Sequence, residues 1–590
     1  KVENKMAKFD LEVIRHSTAH LMAQAIQELY PDENVKLGIG PTIEHGFYYD
    51  IDMDKKIHDE DLKTIEAKMK EIIKRSDEIT RYEVSREKAL EIFEEAGQEY
   101  KVELIKDLPD GETISYYTQG ETFIDLCRGP HVETTRQLPM FFKLLHTAGA
   151  YWRGDETRPM LQRVYAACFD DKKKLKEHLN FLEEAKKRDH RKLGKELGLF
   201  LFDQAAPGSP FFEPKGTIVY NELIAFIRRI YQIYDYKEVI TPQVLDVELW
   251  KTSGHWDNYK DDMFFTKDDH REMAVKPMNC PCHMLMFKHK KYSYRDLPLR
   301  FADFGRLHRN ERSGALAGVT RVRTFCQDDA HVFLSKEDIQ KEVTSLLDMF
   351  NVCYDHFGFE NIKIGLSTRP EKKVGDDETW DTAEAALKAA LDASKYDYFI
   401  NEGDGAFYGP KIDIQISDAI GRYHQLGTVQ LDFQLPERFD LKFTNSNGED
   451  ERPVVIHRAL LGSLERFFGV YLEHVAGAFP FWLAPEQVVF VPVNNEIHGE
   501  YCQELAAQLR HQGLRARVDD SNETMGKKTR TLQKAKVPFM AVIGDKEIEQ
   551  KSLALRAYGS KETNVYSLEE AMDKFRELSN QRFPKQLREL

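Results

Sequence analysis

Two short segments in the first quarter of the sequence carry residues that bind metals or move protons. His16 and His20 frame the segment HSTAH, and Cys127 and His131 lie four residues apart in DLCRGPH. A spacing of four places two side chains on one face of a helix. Thiol and imidazole groups act as zinc ligands or as acids and bases. The pattern predicts one functional site, which either binds zinc or orients water without a metal.

Another thiol and two imidazoles occur in the central part of the sequence. Cys280 lies in KPMNCPCH, His331 in QDDAHVF and His457 in VVIHRALLG. One cysteine and two histidines form a zinc site with one open coordination position. Because the three residues are far apart, their spacing does not predict that they meet. Packed core residues are the alternative interpretation.

Arginines in the same region have the chemistry of phosphate binding. Arg309 and Glu311 lie in RNE, RVRTF follows at 321–325, and Arg466 lies in GSLER. A guanidinium group makes paired hydrogen bonds to phosphate oxygens. The sequence lacks the G-x-x-x-x-G-K-[ST] pattern of a P-loop, so it predicts an ATP site of another design.

Hydrophobic patterns and turns divide the chain into four parts. Residues 1–170 mix helices with short strands, and a helix over 11–30 is expected to end before Pro31. Residues 171–195 predict one basic linking helix. Residues 196–483 predict a long helix over 218–236 and an antiparallel sheet. Residues 484–590 predict a small α/β domain with a mixed sheet and helices over 497–512, 525–536 and 567–580.

The composition limits the class of protein. The 590 residues carry a net charge of −15, which disfavours non-specific nucleic-acid binding. No apolar stretch reaches the ~20 residues that cross a bilayer. The start, KVENKMAKFD, lacks an initiator Met and a signal peptide, so we expect that an upstream segment was removed. Seven cysteines, an odd number, favour a reducing compartment and a cytoplasmic protein.

Three segments resemble, in order, the motifs of class II aminoacyl-tRNA synthetases. They are the helix 218–236 with EVITPQVL, then LRFADFGRLHRNE with RVRTF, then HRALLGSLERF. The resemblance implies an ATP site in which Arg309 holds the α-phosphate, Glu311 the adenine amino group and Arg321 the γ-phosphate. Arg466 and Phe325 would stack on the two faces of adenine. It also implies magnesium with ATP, and a homodimer formed through the first motif.

Nearly the whole chain resembles threonyl-tRNA synthetases, in phrases such as GHWDNY, KPMNCP, RVRTFCQDDAH and GTVQLDF. The resemblance implies that Cys280, His331 and His457 bind one zinc ion that selects threonine. Five residues would line the threonine pocket: Met278, Gln327, Asp329, Tyr408 and Gln425. His255, with help from Gln430, would relay a proton in the transfer to tRNA. Cys282, where many relatives have Gly, is interpreted as a packed side chain.

The amino-terminal block resembles the editing domain shared by threonyl- and alanyl-tRNA synthetases. The resemblance favours a site without metal that hydrolyses seryl-tRNA. His16 and Lys101 would place or activate water. The remaining residues would shape the pocket and transfer protons: His20, Asp125, Cys127 and His131. The family's usual first small domain is expected to be absent.

The last block resembles an anticodon-binding domain. Glu547 and Arg556 would read bases, and a basic run would follow the RNA backbone. That run comprises Lys527, Lys528, Arg530, Lys534 and Lys536.

The sequence thus predicts a multidomain α+β enzyme that joins L-threonine to tRNA(Thr) with ATP and has no membrane segment. Its parts are an α+β editing domain, a linker helix, a class II catalytic domain with an antiparallel sheet, and an α/β anticodon-binding domain. Three alternatives remain: a tRNA-binding or editing paralogue without adenylate synthesis, a non-catalytic regulator, and a zinc hydrolase that uses Asp328 and Asp329.

Overall fold

The computed structural model describes residues 9–268 and 270–584. The segment KVENKMAK, which we expect to carry no signal peptide, lies outside the described residues. The chain divides into two compact units, Lys1–Glu183 and Glu184–Leu590. The four predicted parts of the chain are finer than this division and stay predictions. Every helix in the described part of the chain is too short or too polar to span a bilayer.

In the described residues before Lys172, the first unit combines four α-helices with two antiparallel sheets. Its elements are α1 (Leu11–Leu29), β1 (Lys36–Leu37), β2 (Thr42–Ile43), β3 (Gly46–Asp52), α2 (Leu62–Arg75), β4 (Ile79–Val84), α3 (Arg86–Glu95), α4 (Glu99–Asp107), β5 (Ile114–Gln119), β6 (Phe123–Leu126), β7 (Phe142–Tyr151) and β8 (Met160–Cys168). One sheet has the order β1-β3-β8-β7, with β2 beside β3, and the other has the order β4-β5-β6. The Asp10 side chain caps α1, which ends before Pro31 as predicted.

The predicted linking helix over 171–195 is wrong as a single element. Two helices occupy this segment, α5 (Lys172–Arg188) and α6 (His190–Leu197). Asp189 lies between them with non-helical backbone angles, and its side chain accepts from the backbone N–H of Arg191. An aspartate that caps a new helix competes with continuation of the old one. The basic composition did not reveal this break.

The second unit is built on a large sheet. Its elements up to residue 474 are β9 (Phe200–Phe202), β10 (Pro210–Phe212), α7 (Pro214–Ile233), β11 (Lys237–Glu238), β12 (Val244–Asp246), α8 (Val247–Ser253), α9 (His255–Tyr259), β13 (Phe264–Asp268), β14 (Arg271–Val275), α10 (Cys280–Lys288), β15 (Leu299–Asp303), β16 (Arg306–His308), β17 (Thr324–Leu334), α11 (Ile339–His356), β18 (Ile362–Ser367), α12 (Asp377–Asp392), β19 (Tyr398–Asn401), β20 (Lys411–Ser417), β21 (Tyr423–Asp432), α13 (Gln434–Arg438), β22 (Phe443–Thr444), β23 (Asp450–Glu451), β24 (Val454–Ser463) and α14 (Leu464–His474).

The central strands of this sheet are antiparallel, as predicted. The strand order is β11-β15-β17-β24-β21-β20-β18-β19, with β16 paired to β17. Only the edge pairs β11–β15 and β18–β19 among these described strands are parallel. The predicted helix over 218–236 begins earlier, because Pro214 occupies its first turn, where proline is tolerated. Strand β24 is buried over nearly its whole length, so its side chains face protein on both sides.

The remaining part of the second unit forms the predicted mixed α/β sheet. Its elements are β25 (Val488–Pro492), α15 (Asn495–His511), β26 (Ala516–Val518), α16 (Met525–Lys534), β27 (Phe539–Ile543), α17 (Asp545–Glu549), β28 (Ser552–Ala557), β29 (Asn564–Ser567) and α18 (Leu568–Asn580). Strand β25 pairs in parallel with β26 and β27, and β27–β28–β29 is antiparallel. The expected helices occur within a few residues of their predicted bounds.

Candidate active site

The first cluster of functional side chains lies beside α1. His16 and His20 come from this helix, and Cys127 and His131 come from the segment that follows β6. Cys127 Sγ is 3.3 Å from His16 Nε2 and 3.1 Å from His131 Nε2. The ring centroids of His20 and His131 are 4.1 Å apart. The structure brings together all four residues of the two sequence segments.

A buried carboxylate supports this cluster. Asp125 on β6 lies 2.6 Å from Lys101 Nζ and 3.1 Å from His20 Nε2. The Tyr49 hydroxyl also donates to Asp125, and Lys101 donates to Tyr49 at 3.2 Å. Because an ionised carboxylate only accepts, His20 carries its hydrogen on Nε2. Lys101 and Asp125 therefore belong to the site.

Burial sets the protonation states in the cluster. It raises the pKa of the Cys127 thiol to about 12, and the Asp125 charge adds to the rise. It lowers the pKa of His16, and it lowers those of His20 and His131 much further. A neutral thiol and neutral imidazoles result at neutral pH. Such a site offers nitrogen lone pairs that can accept hydrogen bonds from water, although burial makes the imidazoles weak bases, and it holds little thiolate to act as a nucleophile.

The second cluster lies on the large sheet. Cys280 opens α10, while His331 on β17 and His457 on β24 are direct partners in the strand register. His331 Nε2 and His457 Nδ1 are 3.0 Å apart. One ligand atom from each of the three residues lies within 4.8 Å of the other two. All three side chains are buried, so residues remote in sequence meet as a candidate metal centre.

The neighbours of this cluster fit a metal site. His457 Nε2 lies 2.8 Å from Asp432 Oδ2, so Nε2 carries the hydrogen and Nδ1 presents its lone pair. His331 Nδ1 lies 2.8 Å from His283 Nδ1, which leaves Nε2 toward the cluster. Metal-binding imidazoles are usually held in this way through their second nitrogen. Burial raises the pKa of the Cys280 thiol well above its usual value, and a cation is the partner that would stabilise its thiolate.

Polar and aromatic residues surround the metal cluster. The rings of Tyr408 and His457 have centroids 5.2 Å apart. Burial raises the pKa of Tyr408 well above its usual value, with Cys280, Asp432 and Asp329 adding to the rise. Asn279 donates to Asp329 at 3.1 Å. Tyr408 and Asp329 therefore lie where a small molecule bound at the cluster would contact them.

The other predicted pocket residues lie on strands or loops near the cluster. Gln430 faces His457 in the β21–β24 register. Gln327 lies at an irregularity between β17 and β24, and the side chain of Gln425 donates to Asp413. Met278 Sδ is 3.0 Å from His255 Nε2.

His255 is fully buried. Its Nδ1 is 2.7 Å from Ser253 Oγ. Burial lowers the pKa of His255 to about 3, and the nearby His457 and Arg309 add to the shift. This imidazole is therefore neutral at physiological pH and is a weak base.

The predicted ATP residues form a third group on β17, the loop before it and the start of α14. The Arg309 guanidinium carbon lies 5.0 Å from the centre of the buried Phe325 ring. Arg321 pairs with Glu311, with nitrogen-to-oxygen distances of 3.0 and 3.1 Å. Arg466 donates to the backbone oxygen of Gln425 at 3.1 Å. Burial lowers the pKa of Arg466, and the charge of Arg321 adds to the shift.

Asp328 has a structural position. It accepts from the backbone N–H groups of Leu460, Leu461 and Gly462 at 2.8 to 3.0 Å, and from Arg458 at 3.2 Å. Burial raises its pKa to about 7 against the pull of Arg458. Both carboxylate oxygens of Asp328 accept hydrogen bonds from β24. This removes the main argument for a zinc hydrolase that uses Asp328 and Asp329.

The residues predicted to read RNA are engaged within their own elements. Glu547 accepts from the backbone N–H of Gly544 and so caps α17. Arg556 donates to the backbone oxygen of Ser560 at 2.9 Å. Lys528 is buried and donates to the backbone oxygen of Asp519. Contact between Lys528 and the RNA backbone stays a prediction, and it would require this internal hydrogen bond to break.

Sequence reasoning missed several supporting residues. Asp432, His283 and Asn279 hold groups at the metal cluster, and Tyr49 and Ser17 hold groups at the α1 cluster. His283 lies in KPMNCPCH, three residues after Cys280. A spacing of three on one helix was the available signal. The others offered none, because isolated Asp, Asn, Tyr and Ser residues are common.

Family models match three segments of the chain. A model described as tRNA synthetase class II core domain (G, H, P, S and T) matches residues 263–475. One described as anticodon binding domain matches residues 487–578. One described as threonyl and alanyl tRNA synthetase second additional domain matches residues 114–165. The matches follow the order of the blocks found in the sequence.

Individual proteins resemble the chain over most of its length. Threonine–tRNA ligase 2 of Bacillus subtilis is 50% identical over 564 residues, which cover 96% of this chain and 88% of that protein. Threonine–tRNA ligase of Bdellovibrio bacteriovorus is 51% identical over 95% of this chain and 86% of that protein. The crystal structure of the RNA binding domain of threonyl-tRNA synthetase from Cryptosporidium parvum matches with a TM-score of 0.64 at 47% identity, over 66% of this chain and 98% of that one.

Proposed function

This chain belongs to the threonine–tRNA ligase family, and we propose that it joins L-threonine to tRNA(Thr) through a threonyl-adenylate. One observation carries the proposal. Cys280, His331 and His457 converge within 4.8 Å, with Tyr408 and Asp329 around them. The group that holds Arg309 and Phe325 lies on the same sheet. A pocket for a hydroxylated amino acid beside arginines suits the first half-reaction.

In that half-reaction the threonine carboxylate attacks the α-phosphorus of ATP and pyrophosphate leaves. Negative charge builds on phosphate oxygens, so positioned cations supply most of the catalysis. Arg309 would hold the α-phosphate and Arg321 the γ-phosphate, with magnesium accompanying ATP. Glu311 would accept from the adenine amino group, and Phe325 and Arg466 would bracket the ring. The Arg321–Glu311 pair would open on binding.

We propose zinc at the Cys280, His331 and His457 cluster because the donor types and their supporting partners fit it. When bound there, zinc would supply an open position for the amino group and the β-hydroxyl of threonine. Valine lacks that hydroxyl, and an apolar pocket alone rejects such an isostere by only ~100-fold. Asp329 would accept from the hydroxyl. Tyr408 and Gln327 would orient the amino acid, and Met278 and Gln425 would complete the pocket.

In the second half-reaction a hydroxyl of the terminal adenosine of tRNA attacks the threonyl carbonyl, and AMP leaves. His255 is neutral, and burial makes it a weak base. The Ser253 hydroxyl donates to the backbone oxygen of Trp250, so Ser253 Oγ accepts from His255 Nδ1–H and the lone pair of the imidazole lies on Nε2. His255 would relay the hydroxyl proton through Nε2. Gln430 would assist in positioning the adenosine.

The α1 cluster would hydrolyse seryl-tRNA. Serine carries the same amino and hydroxyl groups as threonine and is smaller, so a recognition site cannot exclude it, and a second hydrolytic site is needed. We propose a reaction without metal, in which His16 and Lys101 place or activate water. His20, Asp125, Cys127 and His131 would shape the pocket and transfer protons. The neutral imidazoles support the placement of water, because their lone pairs can accept its hydrogen bonds.

The C-terminal sheet would bind the anticodon, with Glu547 and Arg556 released from their internal contacts to read bases. We also propose a homodimer, on the family resemblance of the α7 segment. Seven free cysteines favour a reducing compartment, and we place the enzyme in the cytoplasm on that ground.

ATP–pyrophosphate exchange with threonine, valine and serine, on a sample of measured zinc content, tests the proposal. We expect exchange with threonine, about one zinc per chain and exchange with valine lower by more than the ~100-fold of an apolar pocket. The absence of threonine-dependent exchange, with seryl-tRNA hydrolysis intact, would instead identify an editing paralogue. Equal exchange with valine would contradict the recognition scheme.

A further inference from the structure

A buried histidine at the start of α6 joins three elements of the second unit. His190 Nδ1 lies 2.6 Å from Glu473 Oε1 on α14, and the backbone N–H of His190 donates to the same oxygen at 2.9 Å. On its other side, His190 Nε2 lies 3.2 Å from the backbone nitrogen of Val319. Both His190 and Glu473 are buried. Both ring nitrogens of His190 have hydrogen-bond partners. These hydrogen bonds explain why Asp189, His190 and Glu473 lie close together better than a bound metal does.

The partners of His190 fix its tautomer. A backbone N–H can only donate, so His190 Nε2 must present a lone pair to Val319. The hydrogen therefore resides on Nδ1 and is donated to Glu473. Glu473 is held in turn by Arg422, whose Nη2 lies 2.5 Å from Oε2. The result is a directed chain of hydrogen bonds that runs from the Val319 backbone through His190 to a fixed carboxylate.

Val319 belongs to the turn that precedes Arg321. Ala317 and Arg321 form an isolated bridge that closes the turn. Gly318 has a φ of +52°, and a Cβ at this position would lie 2.1 Å from His190 Nε2. Arg466 also reaches the turn, with Nη1 3.5 Å from the Thr320 backbone oxygen. The turn is therefore packed against His190 at its apex and carries Arg321 at its end.

We propose that His190 is a positioning residue for ATP binding. It holds the 317–321 turn through the Val319 N–H, so that Arg321 is presented toward the polyphosphate. The inference rests on the proposed function, because it takes Arg321 as a phosphate-binding residue. His190 itself would not touch ATP. Its effect would be confined to the nucleotide, since threonine contacts lie at the separate metal cluster.

Two substitutions separate the two bonds of His190. In His190→Asn the amide nitrogen lies near the former Nδ1, which keeps the bond to Glu473 and removes the acceptor for Val319. In His190→Gln the amide oxygen lies near the former Nε2, which keeps that acceptor and removes the donor to Glu473. The measurements are the Kd for Mg-ATP by calorimetry, the KM values for ATP and threonine in pyrophosphate exchange, and the zinc content.

We expect His190→Asn to weaken ATP binding and raise the KM for ATP by roughly 5- to 100-fold, the range for a buried N–H left without an acceptor. The KM for threonine and the zinc content should stay at the wild-type values. His190→Gln should remain within about threefold of wild type for ATP, given the retained acceptor. Unchanged ATP binding in His190→Asn, equal losses in both variants, or a parallel rise in the KM for threonine would overturn the proposal.

The variant Gly318→Ala perturbs the contact between His190 and Val319 from the side of the turn. It replaces His190→Asn as the test if His190→Asn fails to fold. Its Cβ would displace the Val319 N–H from His190, so it should reproduce the selective loss of ATP binding. A Gly318→Ala variant that binds ATP like wild type would count against the inference. If wild type binds ATP but does not activate threonine, the proposed function fails, while the ATP-binding comparison still decides the role of His190.

Discussion

Cys280 and Cys282 lie two residues apart on one helix turn yet have different surroundings. Cys280 points to His331 and His457. Burial raises the pKa of Cys282, while the charge of the nearby Lys276 and the hydroxyl of Thr241 partly oppose the rise. Residues two apart on a helix face different directions. This supports the interpretation of Cys282 as a packed side chain rather than a competing ligand.

Cys280→Ala is expected to abolish both zinc binding and threonine activation, because two imidazoles alone leave an incomplete site. Cys282→Ala is the matched control, since it removes a thiol of equal burial from the same turn. It should keep about one zinc per chain and most of the exchange activity. Metal analysis of both purified variants, followed by pyrophosphate exchange, checks this. Full activity in metal-free Cys280→Ala would refute the assignment.

The three histidines of the α1 cluster predict a pH-dependent local stability. Their pKa values are lowered in the folded state, primarily by burial, while in the unfolded chain each is near 6.5. Below about pH 6.5 the unfolded chain therefore binds protons that the folded chain does not. Stability is complete above that pH and falls as the pH is lowered, by up to about 1.4 kcal/mol per pH unit for each histidine.

Hydrogen exchange of α1 peptides, corrected for intrinsic rates, measures this effect between pH 7.5 and 5.5. Protection should decrease as the pH falls. The double variant His16→Gln/His131→Gln should show a shallower dependence, because two of the three groups no longer titrate. The idea fails if protection in wild type is constant across this range.

At the scale of elements, the site depends on how β17 and β24 are joined. The register between them is irregular near Gln327 and Asp329, and Asp328 fills the irregularity by binding three backbone N–H groups of β24. Gly462, whose φ is +77°, then turns the chain into α14. Asp328 therefore determines where Arg466 emerges relative to His331.

Asp328→Ala should destabilise the large sheet by about 3–5 kcal/mol, because it leaves Arg458 buried without its charged partner. The double variant Asp328→Leu/Arg458→Met removes both charges and should recover a large part of this loss. Urea-dependent hydrogen exchange of β24 peptides gives the free energies. A single variant as stable as wild type would show that Asp328 is not the anchor of β24.

At the scale of the whole molecule, the two functional clusters lie in different compact units. The α1 cluster and its supports lie within the first unit, and the metal and ATP residues lie within the second. They share no side chain. The two activities should therefore respond to mutation independently.

His16→Ala/His20→Ala should reduce hydrolysis of seryl-tRNA by at least 100-fold, the typical contribution of positioned acid–base groups, and leave threonine activation unchanged. Cys280→Ala should have the opposite pattern. Two assays are measured on each of the two variants: deacylation of preformed seryl-tRNA and threonine-dependent pyrophosphate exchange. Loss of both activities in either variant would show that the sites are coupled.

The sequence by itself determined the order of the blocks, several of the longer helices and the residue types of both clusters. Periodic apolar residues, prolines and glycines are local signals, so elements such as α1 and the mixed C-terminal sheet were predictable. Local capping by Asp189 was overlooked inside a basic run. His16 and His20 could be paired because four residues along a helix define a fixed distance.

Only the tertiary structure decided which distant residues meet. Cys280, His331 and His457 are remote in sequence, and their contact follows from the pairing of β17 with β24 and the placement of α10. The supports Asp432 and Tyr49, and the His190 junction, have no sequence pattern because hydrogen bonds between separate elements impose no spacing. Burial, which sets the protonation of these groups, likewise depends on what the rest of the chain packs around them.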